Sequence, residues 1–589
     1  MTVQRGEGPA QSEGSTRAYI SSHSLSARQR DQHFGGAHRR GRQRGSVNTV
    51  MSVEHAFRPE ERPLFAGSPF SPSHPAGRRL GYFAIGTFLA ATSTFGNALT
   101  TVNTGSVAGP LGLYVAEAAA LPAIYVAMNA TANLSLVKAR AQFGIPQVTG
   151  FFLGLYALAA LVHFGFASFW AAVFVRATSG MAAAALITLG VYYLMQAFPP
   201  KAKPVGAVIG MGLSQLGTPL ARLVPVEVLV DNGLWGLHAI EVALALVSLA
   251  LILALPLPPS EKSTAFAPRD FLTIPLATAG MVLLCQVIGQ GRTLWWSDTP
   301  WLGMALAASI ALLAGAFLNE TGRRDPLVHF EWIGTWGILR FAAVALVLRL
   351  ALAEQSYGAV GLLTLGGLNN DQLGTLFGVV AVAMLLGIVA AALTLSERRL
   401  PWQVLVAALI IATGAWLDSD ATTLTRPAQL ILSQALIGFG TTLFAGPALL
   451  HGFLRMIQRG GDYLVSFVVT FSISQNVGGL MGSALLGSLQ TIWARNASNT
   501  LAADMLASDP QVAARIGGGG ASLAAVLVDP AQRAAQGAGL LGQAMAREAA
   551  VIAFNDTFRF VAMLALATAA FIFANILVAR TREKTNDRS

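Results

Sequence analysis

The sequence predicts an all-α protein that crosses a bilayer many times, and three observations predict it. About fourteen apolar stretches, each about 20 residues long, follow one another between Arg79 and Arg580, and about 20 helical residues at about 1.5 Å each cross a ~30 Å hydrocarbon core. Hydrophobic residues make up 54% of the 589 and charged residues only 12%, with a mean hydropathy of +0.56; a soluble domain carries about 25% charged residues. Most Lys and Arg outside the first 77 residues stand in the short breaks between apolar runs.

In chain order the predicted spans are 80–104, 111–135, 147–165, 168–196, 204–229, 233–256, 271–290, 301–318, 334–353, 372–395, 401–416, 427–453, 463–488 and 556–580. The positive-inside rule tests this division, because one omitted span reverses every later loop. With the N-terminus cytoplasmic, the inside loops hold Lys138 and Arg140, Lys201 and Lys203, Lys262 and Arg269, Arg323 and Arg324, Arg398 and Arg399, and Arg455 and Arg459. The C-terminal tail adds Arg580, Arg582 and Lys584, so both termini are expected inside. The outer loops hold little beyond Arg292 and Arg426, with the acids Asp231, Asp298, Asp371, Asp418 and Asp420.

The net charge of +10 lies in a polar tail and in loop flanks, which argues against nucleic-acid binding. The single cysteine, Cys285, excludes an intrachain disulfide. Residues 1–77, rich in Ser, Gly, Arg and Pro, read as a disordered basic cytoplasmic tail, with Met51 as an alternative start. The long connection 490–550 is rich in Ala, Gly and Ser, with Gly517 to Gly520 as a flexible break and room for short helices on either side. It is either a partner-docking surface or a solvated loop.

Several motifs follow one another in a telling order. The first span and its exit read Phe95-Gly-Asn-Ala-Leu-Thr-Thr-Val-Asn103. Lys138-Ala-Arg-Ala-Gln-Phe-Gly144 makes a basic turn after the second span, and Arg176-Ala-Thr-Ser-Gly180 lies early in the fourth. The fifth carries Gly206, Gly210 and Gly212-Leu-Ser-Gln-Leu-Gly217-Thr-Pro219. The seventh ends Gly289-Gln-Gly-Arg-Thr-Leu-Trp-Trp-Ser-Asp298, and the thirteenth contains Ser474-Gln-Asn-Val-Gly-Gly-Leu-Met-Gly482.

This series resembles the major facilitator superfamily, and within it the fourteen-helix drug:proton antiporter branch of the EmrB/QacA type, over about residues 80–580. The resemblance implies two pseudo-symmetric six-helix bundles, 78–260 and 331–582, around a central cavity. Two inserted helices would occupy 261–330, the loop 490–550 would be periplasmic, and 583–589 would be a cytoplasmic tail. The Gly/Pro-rich fifth helix would let a neighbouring backbone approach closely and let the helix bend. Lys138, Arg140, Gly144, Gly212, Gly217 and Pro219 would be its conformational motif residues.

Two features depart from that pattern. The stretch Val137 to Phe143 lacks the acid that the family's basic loop usually carries, and Gly96 and Asn97 stand where many antiporters of this branch place an Asp. An ionisable group within a span costs about 2.5–3.5 kcal/mol on the lenient insertion scale, so each invites an explanation. Glu117 with Arg176, Asn97 and Asn103 is the expected substitute coupling site, the alternative being an interfacial or packing role for Glu117. Arg222 and Glu241 are expected to pair between adjacent helices, while Gln215, Gln286, Arg349, Gln434, Gln475, Asn476 and Arg559 are further cavity candidates. His163, His238 and His451 lack metal-ligand spacing.

The resemblance implies a secondary transporter in the bacterial inner membrane. It would export hydrophobic or amphiphilic compounds by alternating access, powered by a proton gradient and without a bound cofactor or metal. A periplasmic adaptor and an outer-membrane channel are its implied partners. Uptake or facilitated passage of a metabolite or siderophore through the same fold is the alternative. No zinc-protease helix, nucleophile elbow or Walker loop marks the chain as an enzyme.

Overall fold

A computed structural model describes residues 67–586 except 167, 232 and 507, together with Glu61, Pro63 and Phe65; side chains are described up to residue 581. The described residues belong to one compact unit. Most of the tail expected at 1–77 therefore lies outside the described residues.

The first segment is α1 (Ala76–Thr92) and α2 (Phe95–Val102), followed by α3 (Val115–Phe143), α4 (Ile145–Gly165) and α5 (Phe169–Ala197). Next come α6 (Lys203–Leu213), α7 (Gly217–Ala221) and α8 (Trp235–Ala254). Over the residues expected to hold an inserted pair lie α9 (Asp270–Leu294) and α10 (Pro300–Glu320). The second half contains α11 (Trp336–Ala351), α12 (Val360–Leu365), α13 (Gly374–Leu393), α14 (Leu400–Leu417) and α15 (Ile431–Ile457). It closes with α16 (Leu464–Asp504), α17 (Pro510–Ala521) and α18 (Pro530–Asn586).

Twelve helical stretches among the described residues are long and apolar enough to cross a membrane. The other two expected spans coincide with helices that are interrupted. Ser93 and Thr94 separate α1 from α2, and a 3-10 turn over Ser214–Leu216 separates α6 from α7. α2, α6 and α7 are each too short alone to span, and α1, with 17 residues, is at the lower limit. The two breaks touch: Thr94 Oγ1 donates to the Ser214 carbonyl at 2.8 Å. Gly217 lies so close to Thr94 and Phe95 that a Cβ there would collide with backbone. Irregular backbone at membrane depth is tolerated where protein buries it.

Burial separates the layers. Tyr82, Leu89, Leu153, Tyr156 and Tyr193 centre the core of the first half, and Leu348, Ile411, Phe444 and Phe467 that of the second. The pair α9 and α10 is peripheral: 17% of the apolar window of α10 is buried, against 78% of that of α3. Trp170, Leu393 and Leu432 are exposed, as side chains that meet lipid should be.

The 490–550 connection departs from the expected loop. α16 runs unbroken to Asp504, and Gly517 to Gly520 lie inside α17 rather than forming a break. Gly520 makes a close helix contact that holds this stretch against α18. A Cβ on Gly520 would stand 2.7 Å from the Arg533 carbonyl, and Gly537 of α18 presses on the Ile516 carbonyl. Small residues of this kind let two helix backbones close together.

The last stretch of the expected tail is docked. Gly67 N donates to the Glu261 carbonyl at 3.2 Å and Phe70 N to that of Pro259 at 2.9 Å. Gln196 Nε2 donates to the Phe70 carbonyl at 2.8 Å, and His74 Nε2 lies 3.0 Å from Gln196 Oε1. Gly67 has a positive φ of 77° and is pressed on the Ala141 backbone, so a side chain is doubly disfavoured there.

Candidate functional site

In the first half, Arg176 of α5 forms an ion pair with Glu241 of α8, their side chains 4% and 0% exposed. His238 Nδ1 stands 3.7 Å from Glu241 Oε2, and the His163 ring packs edge-on against that of His238, with centroids 4.3 Å apart. Beside this group lies a cavity of about 20 Å³ lined by Asn97, Tyr125, Tyr156 and Ser248. The Tyr125 hydroxyl, Asn97 Oδ1 and Ser248 Oγ find no partner among the described residues. About 10–15 Å³ suffices for one water with polar neighbours.

The expected grouping is thus partly redrawn. Glu117 is absent from the cluster: as N3 of α3 it closes a capping box, its Oε2 accepting from Tyr114 N at 2.9 Å. A carboxylate there satisfies orphan helix-end donors, which is why an acid interrupts that apolar run. Asn97 lines the cavity, whereas Asn103 donates back to the Leu99 carbonyl at 3.0 Å. Arg222 does not pair with Glu241. Its Nη1 donates to Asn370 Oδ1 at 2.7 Å and its guanidinium lies 4.8 Å from the Phe377 ring centroid. Gln215, in the break after α6, donates to Ser214 Oγ at 3.2 Å.

The halves meet along a polar seam. Asn476 Nδ2 of α16 donates to Asn129 Oδ1 of α3 at 2.9 Å, and Asn133 Nδ2 to Ser472 Oγ at 3.2 Å. Arg349 Nε of α11 donates to the Gln475 carbonyl at 3.1 Å, while Gln475 Nε2 has no partner among the described residues. Close backbone approach continues the seam. A Cβ on Gly446 would stand 2.8 Å from the Val208 carbonyl, and one on Gly212 would stand 2.6 Å from Ile388 Cγ1. Pro219 is buried in α7.

Each end of the seam has its own closure. At the end bearing the basic loops, Leu134 and Val137 of α3 pack with Val465 and Val469 of α16 and with Leu327 and Val328. Asp270 at the start of α9 receives Lys138 Nζ at 2.6 Å and Arg323 Nη1 at 2.6 Å. The loop Val137–Phe143, which has no acid of its own, thus meets one at the start of α9. Arg140 is buried with its guanidinium 5.5 Å from the Tyr192 ring centroid, and Gly144, with φ 95°, ends α3. At the opposite end Arg222 reaches Asn370, and Val226 N donates to Asp371 Oδ1 at 3.1 Å.

The second half holds a site that the motifs do not reveal. Gln434 Nε2 of α15 donates to Asp418 Oδ2 at 2.7 Å and to the Glu354 oxygens at 3.1 and 3.3 Å. Glu354 opens a π-helical stretch, Glu354–Ala359, that joins α11 to α12. The signal is present in the sequence: Val360, Leu362 and Leu363 carry the apolar run past Glu354, which places the acid within the span rather than at its end. The pairing of His163 with His238 is likewise tertiary. No group of three or more His, Cys, Asp or Glu among the described residues is placed to hold a metal ion.

No sequence-family profile and no curated protein matches this chain. Among solved structures it is similar to a bacterial homologue of the human drug peptide transporters PepT1 and PepT2, with a TM-score of 0.51 and 13% identity over 85% of this chain and 99% of that one. It is also similar to the major facilitator superfamily proton:xylose symporter XylE (TM-score 0.49, 12% identity, 85% and 97% coverage). A further match is the human organic anion transporter MFSD10 (TM-score 0.48, 14% identity, 84% and 100% coverage). The chain is a multi-pass helical membrane protein whose fold is similar to that of the bacterial homologue of the peptide transporters.

Proposed function

We propose that this chain is a secondary transporter that works by alternating access and exports hydrophobic or amphiphilic compounds against an inward flow of protons. The observation that carries the reading is the seam between the halves, with a separate closure at each end. Leu134 and Val137 packed on Val465 and Val469 form one closure, and Arg222 with Asn370 the other. Two bundles joined in this way can open one end while the other stays shut, which alternating access requires. The two interrupted helices, touching at Thr94 and Ser214, are of the kind that transporters of several folds place near their binding sites. The fourteen-span topology with both termini cytoplasmic, the inner-membrane location and an adaptor with an outer-membrane channel belong to this same reading.

A second reading, passage of a polar or anionic metabolite, is favoured by Arg349 and the asparagines Asn129, Asn133 and Asn476 along the seam. Expression in a pump-deficient bacterial host loaded with ethidium separates the two. Efflux that a protonophore abolishes supports the first. Ethidium retention equal to the empty-vector control rejects export of that class and leaves the polar reading to be tested by metabolite uptake.

A further inference from the structure

We propose that Glu354 and Asp418 hold one proton between them and form the site where the second half takes up and releases the coupling proton. The role in coupling rests on the transport reading above; the shared proton does not.

The geometry leads to the shared proton. Glu354, Asp418 and Gln434 are 0%, 1% and 0% exposed. A single neutral amide group, Gln434 Nε2, serves both carboxyl groups. Asp418 Oδ1 and Gln434 Oε1 are buried without a partner among the described residues, so the cluster has accepting capacity that no protein donor fills. A proton between the acids supplies the missing donor. Two like charges at one desolvated site repel strongly, and a carboxyl pair relieves this by retaining a proton.

Cations on the packed elements are directed elsewhere. Arg559 of α18 lies on Asp420, Asp556 and the Ser419 carbonyl. Arg349 is bound to the Gln475 carbonyl, and Arg292 lies over the Tyr357 ring. Arg455 of α15 donates to Gly337, and Arg495 of α16 covers Trp295. Arg426 donates to the Thr425 carbonyl, and Glu548 of α18 accepts from Thr423. Neither Glu354 nor Asp418 has an ion-pair partner among the described residues.

Position gives the pair access and a means of movement. Asp418 caps the end of α14, and Asp420, two residues on, is exposed. Glu354 lies on π-helical backbone, a winding that recurs at functional sites. Gly358 and Gly361, just beyond it, press on Phe558 and Phe554 of α18. A shift of α18 therefore bears directly on the turn that carries Glu354. The step is proton transfer alone: water at the Asp418 end delivers a proton to the pair, and rearrangement of the Glu354 turn lets it leave.

Infrared difference spectroscopy on the purified full chain during a pH titration tests the shared proton. The wild type should show a carboxylic-acid C=O band that Glu354→Gln and Asp418→Asn each abolish. Gln434→Leu should shift the band without removing it. Each variant is checked for folding by protection of Cys285. A wild type without the band, or a band surviving in both acid variants, overturns the proposal. Coupling is tested in proteoliposomes with ethidium as probe: both acid variants should lose uptake driven by a pH gradient and keep ethidium exchange at equal pH. Unchanged pH-driven uptake in both variants overturns the coupling role. A wild type that moves no ethidium rejects the export reading, and the infrared result then decides the shared proton alone.

Discussion

Substituting Glu241 by Gln leaves the guanidinium of Arg176 in a site where its side chain is 4% exposed and its carboxylate partner is gone. Arg stays charged under all ordinary conditions, so it cannot relieve the loss by giving up a proton. Breaking a buried pair from one side typically costs about 3–5 kcal/mol, whereas replacing both members together is often near neutral. The prediction is therefore a double-mutant cycle with a strong signature. Glu241→Gln should destabilise by about 3–5 kcal/mol. Arg176→Gln should also destabilise, and the double variant should regain most of the loss, with a coupling energy of at least about 2 kcal/mol. His238, 3.7 Å from Glu241, softens the Arg176 variant because it remains beside the carboxylate. The assay is built into the chain: Cys285 is its single cysteine and is fully buried, so a thiol-reactive fluorogenic dye reports unfolding. A double variant less stable than either single one, or single variants as stable as the wild type, refutes the reasoning.

Four other outcomes are expected. Glu117→Gln should lower thermal stability slightly, by about 0.5–1 kcal/mol for a weakened cap, and leave pH-driven ethidium transport unchanged. Gly446→Val should lower transport and destabilise by about 1–3 kcal/mol, since its Cβ meets the Val208 carbonyl; a normal melting curve with normal transport contradicts that packing. Asp270→Asn should speed maleimide labelling of Cys placed at Ser135 in a Cys285→Ala background, because Lys138 and Arg323 lose their shared partner. Burial lowers the pKa of His74 below its ordinary value, Gln196 opposing and Arg78 and Lys203 assisting. The unfolded state then binds more protons below about pH 6.5, so docking of residues 67–75 weakens as pH falls through that range. Amide protection factors at those residues, referred to the intrinsic exchange rate at each pH, should fall on acidification, and His74→Phe should remove the dependence.

The span pattern was legible because membrane crossing imposes a minimum apolar length, and each helix of that length overlaps a predicted span. Breaks were less legible. Ser93 and Ser214 are ordinary in a helix, and only their contact across two segments explains why the winding stops. Arg176 is legible as a motif residue and Glu241 as a charge within a span, but the sequence pairs Glu241 with Arg222 because sequence distance gives no helix rotation. Glu117 stood out for the wrong reason, since a cap and a buried acid look alike in an apolar run. Asp418 reads as a loop acid and Asp270 carries no sequence signal, and only tertiary packing turns one toward Glu354 through Gln434 and the other toward two cations.

The unbroken winding of α16 and α18 has a mechanical consequence. Their 41 and 57 residues make rods of about 60 and 85 Å, well beyond the ~30 Å needed to cross hydrocarbon. The surplus is braced by α17 through the Gly520 and Gly537 contacts, so it turns with the bundle as a stiff pointer. A tilt of about 10° displaces a point about 40 Å from the pivot by about 7 Å. If the bundles rock as proposed, a modest rotation would become a large excursion at the pointer's far end, wide enough for fluorophores there to register each stroke.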